Sequence, residues 1–202
     1  MCDLFTSKKN ITSLLPPGTP YFVSTNLMKS FSFIFVIFWT FCCFQCYAFT
    51  VNAKKKDEYY MQIAIQLAKH NPKAPFAALI VDNKTGKILA EGINAANVNG
   101  FFHGEILAIN NCLKKYLQVN WSTVTLYTTA EPCPMCQGAI ICTGISKVVF
   151  ATSIEYLKNH GWNQIDIRAS EVNQKASFYK GTIIGGILAK RTNTLFNKDY
   201  MR

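Results

Sequence analysis

The fold follows from residues 101–152, which read FFHGEILAINNCLKKYLQVNWSTVTLYTTAEPCPMCQGAIICTGISKVVFAT. Apolar side chains recur at helical spacing over residues 103–117 and again over residues 133–143, so each range predicts a helix. Short apolar runs at 123–129 and 147–151 predict one strand before and one strand after the second helix. This alternation of strands and helices is typical of an α/β fold.

The flanking sequence adds a hairpin and another helix on the N-terminal side. Residues 76–81 and 87–93 are strand-like runs joined by turn residues at 83–86, which predicts a β-hairpin. Before the hairpin, apolar residues over 60–68 repeat at helical spacing, with Asp57 as the predicted N-cap. Together these elements predict a mixed sheet that is covered by helices on both faces.

The C-terminal quarter of the chain is patterned less clearly. Residues 155–160 predict a short helix, whereas residues 181–188 are too rich in glycine to assign. With 202 residues in total, the chain is long enough for one domain with a single core.

Two motifs with the chemistry of a metal site begin the two central helices. They are His103-Gly104-Glu105 and Pro132-Cys133-Pro134-Met135-Cys136. Cysteines three residues apart in a first helical turn project to one side, and the helix N-terminus favours their thiolate form, so together they can bind one cation. With His103 they make three zinc ligands and leave a fourth tetrahedral position open to water, as in catalytic zinc sites. Glu105 would then act as the general acid and base.

An H-x-E motif followed by P-C-x-x-C is the signature of zinc-dependent deaminases. Through FFHGEILAIN (101–110) and TLYTTAEPCPMCQGAI (125–140), the chain resembles the cytidine and deoxycytidylate deaminase superfamily over residues 57–152. It is most similar to the branch of guanine deaminases, yeast-type cytosine deaminases and tRNA adenosine deaminases. The resemblance implies a cytidine deaminase-like three-layer α-β-α sandwich with a mixed central sheet, Zn²⁺ as cofactor, and a homodimer.

The resemblance also implies roles for individual residues. Zinc would be bound by His103, Cys133 and Cys136, and protons would be moved by Glu105. Asn94, which ends a G-x-N segment, would hydrogen-bond the base, and Phe76 of Pro75-Phe76 would line the base pocket. Phe102 adjoins a zinc ligand and is predicted to contact substrate as well, and Trp162 is a weaker candidate for the pocket.

The substrate signal is mixed because the chain departs from each relative in part. Ala77 stands where many relatives have glycine, and Asn99-Gly100-Phe101-Phe102 replaces the usual approach to the histidine ligand. The His-Gly-Glu motif resembles cytosine deaminases, whereas Glu131-Pro132-Cys133 resembles the guanine and tRNA enzymes. We therefore predict hydrolytic deamination of a free nucleobase or nucleoside with release of ammonia, guanine or a related purine ranking ahead of cytosine. The alternative is a tRNA-specific adenosine deaminase.

Two interpretations from other functional classes remain open at this point. An exported thiol oxidoreductase would use Cys-Pro-Met-Cys as a redox dithiol, but it would leave His103 and Glu105 without a purpose. A non-catalytic zinc module would need a fourth protein ligand, for which Cys112 and Cys142 are the nearest candidates.

The charge distribution is weak evidence for a nucleic-acid partner. The net charge is +10, but the longest basic block, Lys54–Lys56, has three residues and is followed at once by Asp57 and Glu58. A basic surface without a concentrated patch raises non-specific affinity for polyanions and does not by itself indicate a nucleic-acid partner.

The N-terminal region indicates export. Residues 31–44 form an apolar run that is short for a membrane span, and small residues at Cys46 and Ala48 suit cleavage after Ala48. We predict a signal peptide at 28–48, a non-native extension at 1–27, and a deaminase domain at 49–202 in the secreted or periplasmic space, with no membrane span left after cleavage. An uncleaved membrane anchor is one alternative, favoured by Lys54–Lys56 close behind the apolar run. A buried core segment is the other.

Overall fold

The computed structural model describes residues 50–197; the predicted extension at 1–27 and signal peptide at 28–48 lie outside the described residues. Five strands form one sheet in the order β2-β1-β3-β4-β5. The strands are β1 (Ala77–Asp82), β2 (Ile88–Ile93), β3 (Val124–Ala130), β4 (Lys147–Thr152) and β5 (Thr182–Ile184). β1 is antiparallel to β2 and β3, whereas β3, β4 and β5 are parallel, so the sheet is mixed as predicted.

Six α-helices accompany the sheet in the described part of the chain. They are α1 (residues 50–68), α2 (Gly104–Lys115), α3 (Pro134–Thr143), α4 (Ile154–Asn159), α5 (Ala169–Lys175) and α6 (Ala189–Phe196). A short 3₁₀ turn, Trp121–Thr123, leads into β3. Within residues 50–197 no helix combines the length and the apolar composition needed to cross a bilayer.

The alternation of side chains along β1 divides the core into two layers. Ala78 and Ile80 are fully buried with residues of α2 and α3, whereas Leu79 and Val81 are fully buried with residues of α1. Successive side chains of a strand point to opposite faces of the sheet, so both faces are covered by helices. The predicted α/β architecture with a three-layer arrangement is therefore confirmed.

The strand directions bring the motif-bearing loops to one edge of the sheet. β3 and β4 are parallel, so Glu131 and Ser153 follow their carboxyl ends on the same side. β1 is antiparallel to β3 with Ala78 opposite Thr128, which places Phe76, just before β1, at that edge too. Ala77 is paired with Ile93, so Asn94 after β2 completes the group. Open α/β sheets bind ligands at such carboxyl ends.

The structure corrects the predicted start of the first helix. α1 already includes residue 50, so Asp57 lies inside the helix and is not its N-cap. The Asp57 carboxylate is instead buried, where it accepts a 2.8 Å hydrogen bond from Tyr127 Oη and binds Lys147 Nζ at 2.8 and 2.9 Å. The role of Asp57 is therefore set by a tertiary contact, namely its buried ion pair with Lys147, which lies 90 residues later in the sequence.

Candidate active site

The two predicted motifs do occupy helix starts. His103 is the N-cap residue of α2 and Cys133 is the N-cap residue of α3, each with extended backbone (ψ 156° and 165°). Pro134 opens α3 at a position where its missing N–H costs nothing, and Cys136 follows within the first turn. Both cysteine side chains therefore face His103 across the gap between the helices.

The ligand atoms of the three side chains lie as close together as the ligands of one metal ion do. His103 Nδ1 lies 3.6 Å from Cys133 Sγ and 3.6 Å from Cys136 Sγ, and all three ligand atoms lie within 4.8 Å of one another. A tetrahedral zinc ion with ordinary Zn–N and Zn–S bonds would separate a nitrogen and a sulfur ligand by about 3.6 Å. One imidazole and two thiols in this arrangement are positioned to bind zinc.

Without a bound cation, the two cysteine thiols differ in pKa because a hydrogen bond joins them. A hydrogen bond from Cys136 lowers the pKa of Cys133 to about 4, whereas that same bond and then burial raise the pKa of Cys136. The hydrogen bond with Cys133 also raises the pKa of His103. A bound divalent cation would allow both thiols to ionise, since a coordinated thiol loses its proton.

Glu105 lies beside this cluster in the first turn of α2. Its carboxyl group is buried, and Oε1 accepts a 2.9 Å hydrogen bond from Thr128 Oγ1 of β3. Burial first and the negative charge of Cys133 second raise the pKa of Glu105. A pKa raised in this way suits a carboxyl group to the proton transfers of a general acid and base.

A cavity of about 310 Å³ opens onto these groups. His103, Glu105 and Cys133 line it on the metal side, and Phe76 and Asn94 line it from the strand ends. Contact of Phe76 and Asn94 with a base stays a prediction. Phe102 is not among the described residues that line it, although it adjoins His103. Its backbone is held within the 94–103 loop, where its N–H donates to Asn99 O and its carbonyl accepts from Ala95 N.

Another wall of the cavity includes Trp162, the weaker pocket candidate of the sequence analysis. Residues 161–164, between α4 and α5, line the cavity, and Trp162 packs edge-to-face on Phe76 with ring centroids 5.1 Å apart. Trp162 Nε1 also donates a 2.7 Å hydrogen bond to the carbonyl of Phe196 in α6. These are contacts between residues far apart in sequence, and a tryptophan in a loop gives no local signal of them.

The other thiols of the described chain do not complete the cluster. Cys112 is buried in the core between the sheet and α2, and Cys142 is exposed on α3. The group of potential metal ligands among residues 50–197 has three members, so the fourth position of a tetrahedral ion would face the cavity. The closed, non-catalytic zinc module therefore finds no fourth ligand in these thiols.

Comparison with known proteins also supports a zinc site in this chain. The model of the family described as "Cytidine and deoxycytidylate deaminase zinc-binding region" matches residues 54–152. A tRNA-specific adenosine deaminase of Buchnera aphidicola subsp. Baizongia pistaciae is 35% identical over 130 residues, which are 59% of this chain and 79% of that protein. A probable cytosine deaminase of Schizosaccharomyces pombe is 34% identical over 111 residues, 54% of this chain and 67% of that protein.

Solved structures extend the likeness beyond the matched region. The crystal structure of a guanine deaminase from Nitrosomonas europaea is similar with a TM-score of 0.63 and 25% sequence identity. The alignment covers 72% of this chain and 85% of that one. The aligned share of this chain is therefore larger than the range of the family match, residues 54–152.

Proposed function

Because the chain belongs to the cytidine and deoxycytidylate deaminase family and is a zinc-dependent hydrolase of the deaminase type, we propose that it deaminates a free nucleobase or nucleoside. Guanine or a related purine ranks ahead of cytosine. The observation that carries the proposal is the common cavity: His103 and Cys133 of the three-ligand cluster and the buried Glu105 face one space of about 310 Å³. That volume is at the lower end of small-molecule sites and suits one heteroaromatic ring.

The cofactor would activate water, and side chains of the protein would transfer the protons. Zinc held by His103, Cys133 and Cys136 would activate water for attack at neutral pH. Glu105 would take one proton from the attacking water and deliver it to the ring nitrogen beside the amino-bearing carbon. It would then take the second proton to the amino group, which leaves as ammonia while the ring keeps a carbonyl oxygen. Thr128, which donates a 2.9 Å hydrogen bond to Oε1, would hold the carboxyl group in place during these transfers.

The remaining lining would orient the ring. Phe76 and Trp162, whose ring centroids lie 5.1 Å apart, supply two aromatic surfaces to the cavity. The ring of a base would be more stable against these surfaces than in water. The Asn94 carboxamide offers one donor and one acceptor group to the polar edge of a base. Asn71 supports the backbone of Asn94, because Asn71 Nδ2 donates a 2.8 Å hydrogen bond to the backbone carbonyl of Asn94.

An ammonia-release assay tests the proposal. Purified, zinc-loaded protein would be supplied with guanine, adenine, cytosine and their nucleosides, and each product would be identified by mass spectrometry. We expect turnover of at least one compound, with the amino group replaced by oxygen. Absence of ammonia release from every compound, in protein that holds one zinc per chain, would refute the proposal.

A groove beside the cavity favours a second candidate, deamination of a nucleotide within tRNA. This groove, about 720 Å³, shares Ala74, Asn94 and Ala96 with the cavity and is also lined by His70 and Lys73. A cationic groove that continues a base pocket could take sugar and phosphate attached to the base. The similarity to tRNA-specific adenosine deaminases points the same way.

The two candidates are separated by one comparison. Turnover of an anticodon stem-loop RNA would be measured beside turnover of the free bases, in the parent protein and in Lys73→Gln. A preference for RNA that Lys73→Gln weakens would establish the second candidate. Turnover of a free base at an unchanged rate in Lys73→Gln would establish the first.

The assembly and location of the enzyme are proposals of the same kind. We propose a homodimer, which light scattering on the purified chain would show as about twice the 22.7 kDa mass, less any cleaved segment. We also propose export with cleavage after Ala48, which N-terminal sequencing of the native protein would show as a chain beginning at Phe49. A native chain that keeps residues 31–44 would indicate the anchor alternative.

A further inference from the structure

One wall of the cavity belongs to a short connection outside the family match. Residues 160–168 join α4 to α5, and we call them the wall segment. Within it, residues 161–164 line the cavity. Only Trp162 is tied to the hydrophobic core, through Phe76 and Phe196, while Ile165 remains exposed. Apart from the Trp162 contacts and an ion pair between Asp166 and Lys158 of α4, the position of the wall segment depends on how its flanking helices are held.

A single carboxylate binds the first residue of each helix that flanks the wall segment. Glu131 follows β3, and its Oε2 accepts a 3.0 Å hydrogen bond from the N–H of Ile154, the first residue of α4. Its Oε1 accepts a 3.1 Å hydrogen bond from the N–H of Ala169, the first residue of α5. The helix that precedes the wall segment and the helix that follows it are thus attached to the same side chain.

The charge of Glu131 is balanced by the wall segment itself. Arg168, the last residue of the segment, places Nε 3.0 and 2.9 Å from the two carboxylate oxygens. The Glu131 side chain is only 2% exposed, and a buried charge is strongly unfavourable unless it is paired and hydrogen-bonded. The outer side of the same guanidinium lies 3.5 Å from the exposed Glu155.

The geometry points to Glu131 as a positioning residue for substrate, acting through the wall segment. Glu131 itself lines the cavity and precedes the zinc ligand Cys133 by two residues, so one side chain sets the distance between the metal ligands and the wall. Catalytic geometry depends on such fixed supports. The inference rests on the proposed function, in that the ligand of the cavity is taken to be a base.

Kinetics of three variants test this role. Glu131→Gln keeps the size of the side chain but removes its charge and one acceptor, and Arg168→Gln removes the partner while leaving Glu131 in place. Glu155→Gln is the matched control, since it removes a carboxylate from the exposed side of the same arginine. We expect KM for the base to rise about tenfold in the first two variants, with kcat within about threefold and one zinc per chain retained, because charge-assisted hydrogen bonds are lost. Glu155→Gln should keep the KM of the parent protein.

A protease comparison gives a readout that does not depend on activity. Chymotrypsin would be applied to the full chain, and cleavage after Trp162 would be quantified by mass spectrometry. Several-fold faster cleavage in Glu131→Gln and Arg168→Gln, but not in Glu155→Gln, would support the role. A KM and a cleavage rate within twofold of the parent in Arg168→Gln would overturn it, even if Glu131→Gln failed to fold. If the parent protein deaminated no base, the proposed function would fail and the cleavage rates would still decide whether Glu131 holds the wall.

Discussion

Thr128 Oγ1 donates a 2.9 Å hydrogen bond to Glu105 Oε1, and both side chains are buried. Thr128 lies on β3, the central strand. Glu105 lies in the first turn of α2, two residues after the ligand His103. The bond therefore holds the carboxyl group against a strand that is buried along its whole length.

Replacement of Glu105 by Gln should abolish turnover without loss of metal. The amide is similar in size, but it cannot carry a proton between water and the ring, so kcat should fall by about 10²- to 10⁴-fold. Zinc content, measured by mass spectrometry of the purified protein, should remain at one per chain. Thr128→Val is the graded control: it keeps the carboxyl group and removes its support, so kcat should fall far less. An active Glu105→Gln protein would remove Glu105 from the mechanism.

The zinc ligands should be separable from the other thiols of the chain. Cys136→Ser removes a buried sulfur from the three-ligand cluster, and the affinity for zinc should fall by more than the roughly 10- to 100-fold that loss of an outer-shell partner costs. Cys142→Ser alters an exposed thiol on the same helix and should leave zinc content and activity unchanged. Competition with a chelator, followed by metal analysis, measures both. Equal zinc retention in the two variants would contradict the ligand assignment.

The ligand cluster could be predicted from sequence because its geometry is local. Cys133 and Cys136 share one helical turn, and each motif begins a helix whose apolar spacing is plain in the sequence. Only the approach of His103, 30 residues earlier, is a tertiary contact, and the antiparallel and parallel pairings of β1, β3 and β4 determine it.

The parts of the site that were missed depend on pairings between distant residues. Glu131 contacts Arg168, 37 residues later, and Trp162 contacts Phe196, 34 residues later. α5 and β5 have seven and three residues, too short for a hydrophobic period to show. Phe102 is next to a ligand in sequence but is not among the described residues that line the cavity, so its contact with substrate stays a prediction.

The G-x-N segment has a steric requirement that can be tested. A Cβ at Gly92 of β2 would collide with the carbonyl oxygen of Gly104 and the amide nitrogen of Ala108, both backbone atoms of α2. Gly92→Ala must therefore push α2, and with it His103, away from the sheet. We expect a loss of about 1–3 kcal/mol of unfolding free energy, typical of overpacking, together with weaker zinc binding. Thermal unfolding and metal analysis provide the measurement.

Gly138→Ala is the matched control for this substitution. Gly138 lies inside α3, and a Cβ there would meet nothing within 4 Å. Alanine should therefore stabilise the helix by roughly 0.5–1 kcal/mol, because glycine loses more backbone entropy on folding. If both alanine variants were equally stable, the close approach of α2 to β2 would not be the reason for glycine at position 92.

The buried Asp57–Lys147 pair should be a main tie between α1 and the sheet. Lys147 Nζ binds both oxygens of Asp57 at 2.8 and 2.9 Å, and the Asp57 side chain is 5% exposed while that of Lys147 is 25% exposed. Asp57→Ala leaves a largely buried ammonium group and the Tyr127 hydroxyl without their partner. The expected loss is about 3 kcal/mol, the lower end of the range for broken buried pairs, because water still reaches Lys147. Urea unfolding followed by circular dichroism measures it.

The neighbouring pair on the same helix supplies the comparison. Glu58 lies 4.0 Å from Lys54, whose side chain is 70% exposed, so Glu58→Ala should change the unfolding free energy by less than about 1 kcal/mol. The effect of Asp57→Ala should also persist at high salt, since buried charges are poorly screened. Similar losses in the two variants, or a loss at Asp57 that disappears in 1 M salt, would show that α1 is held to the sheet by its apolar face alone.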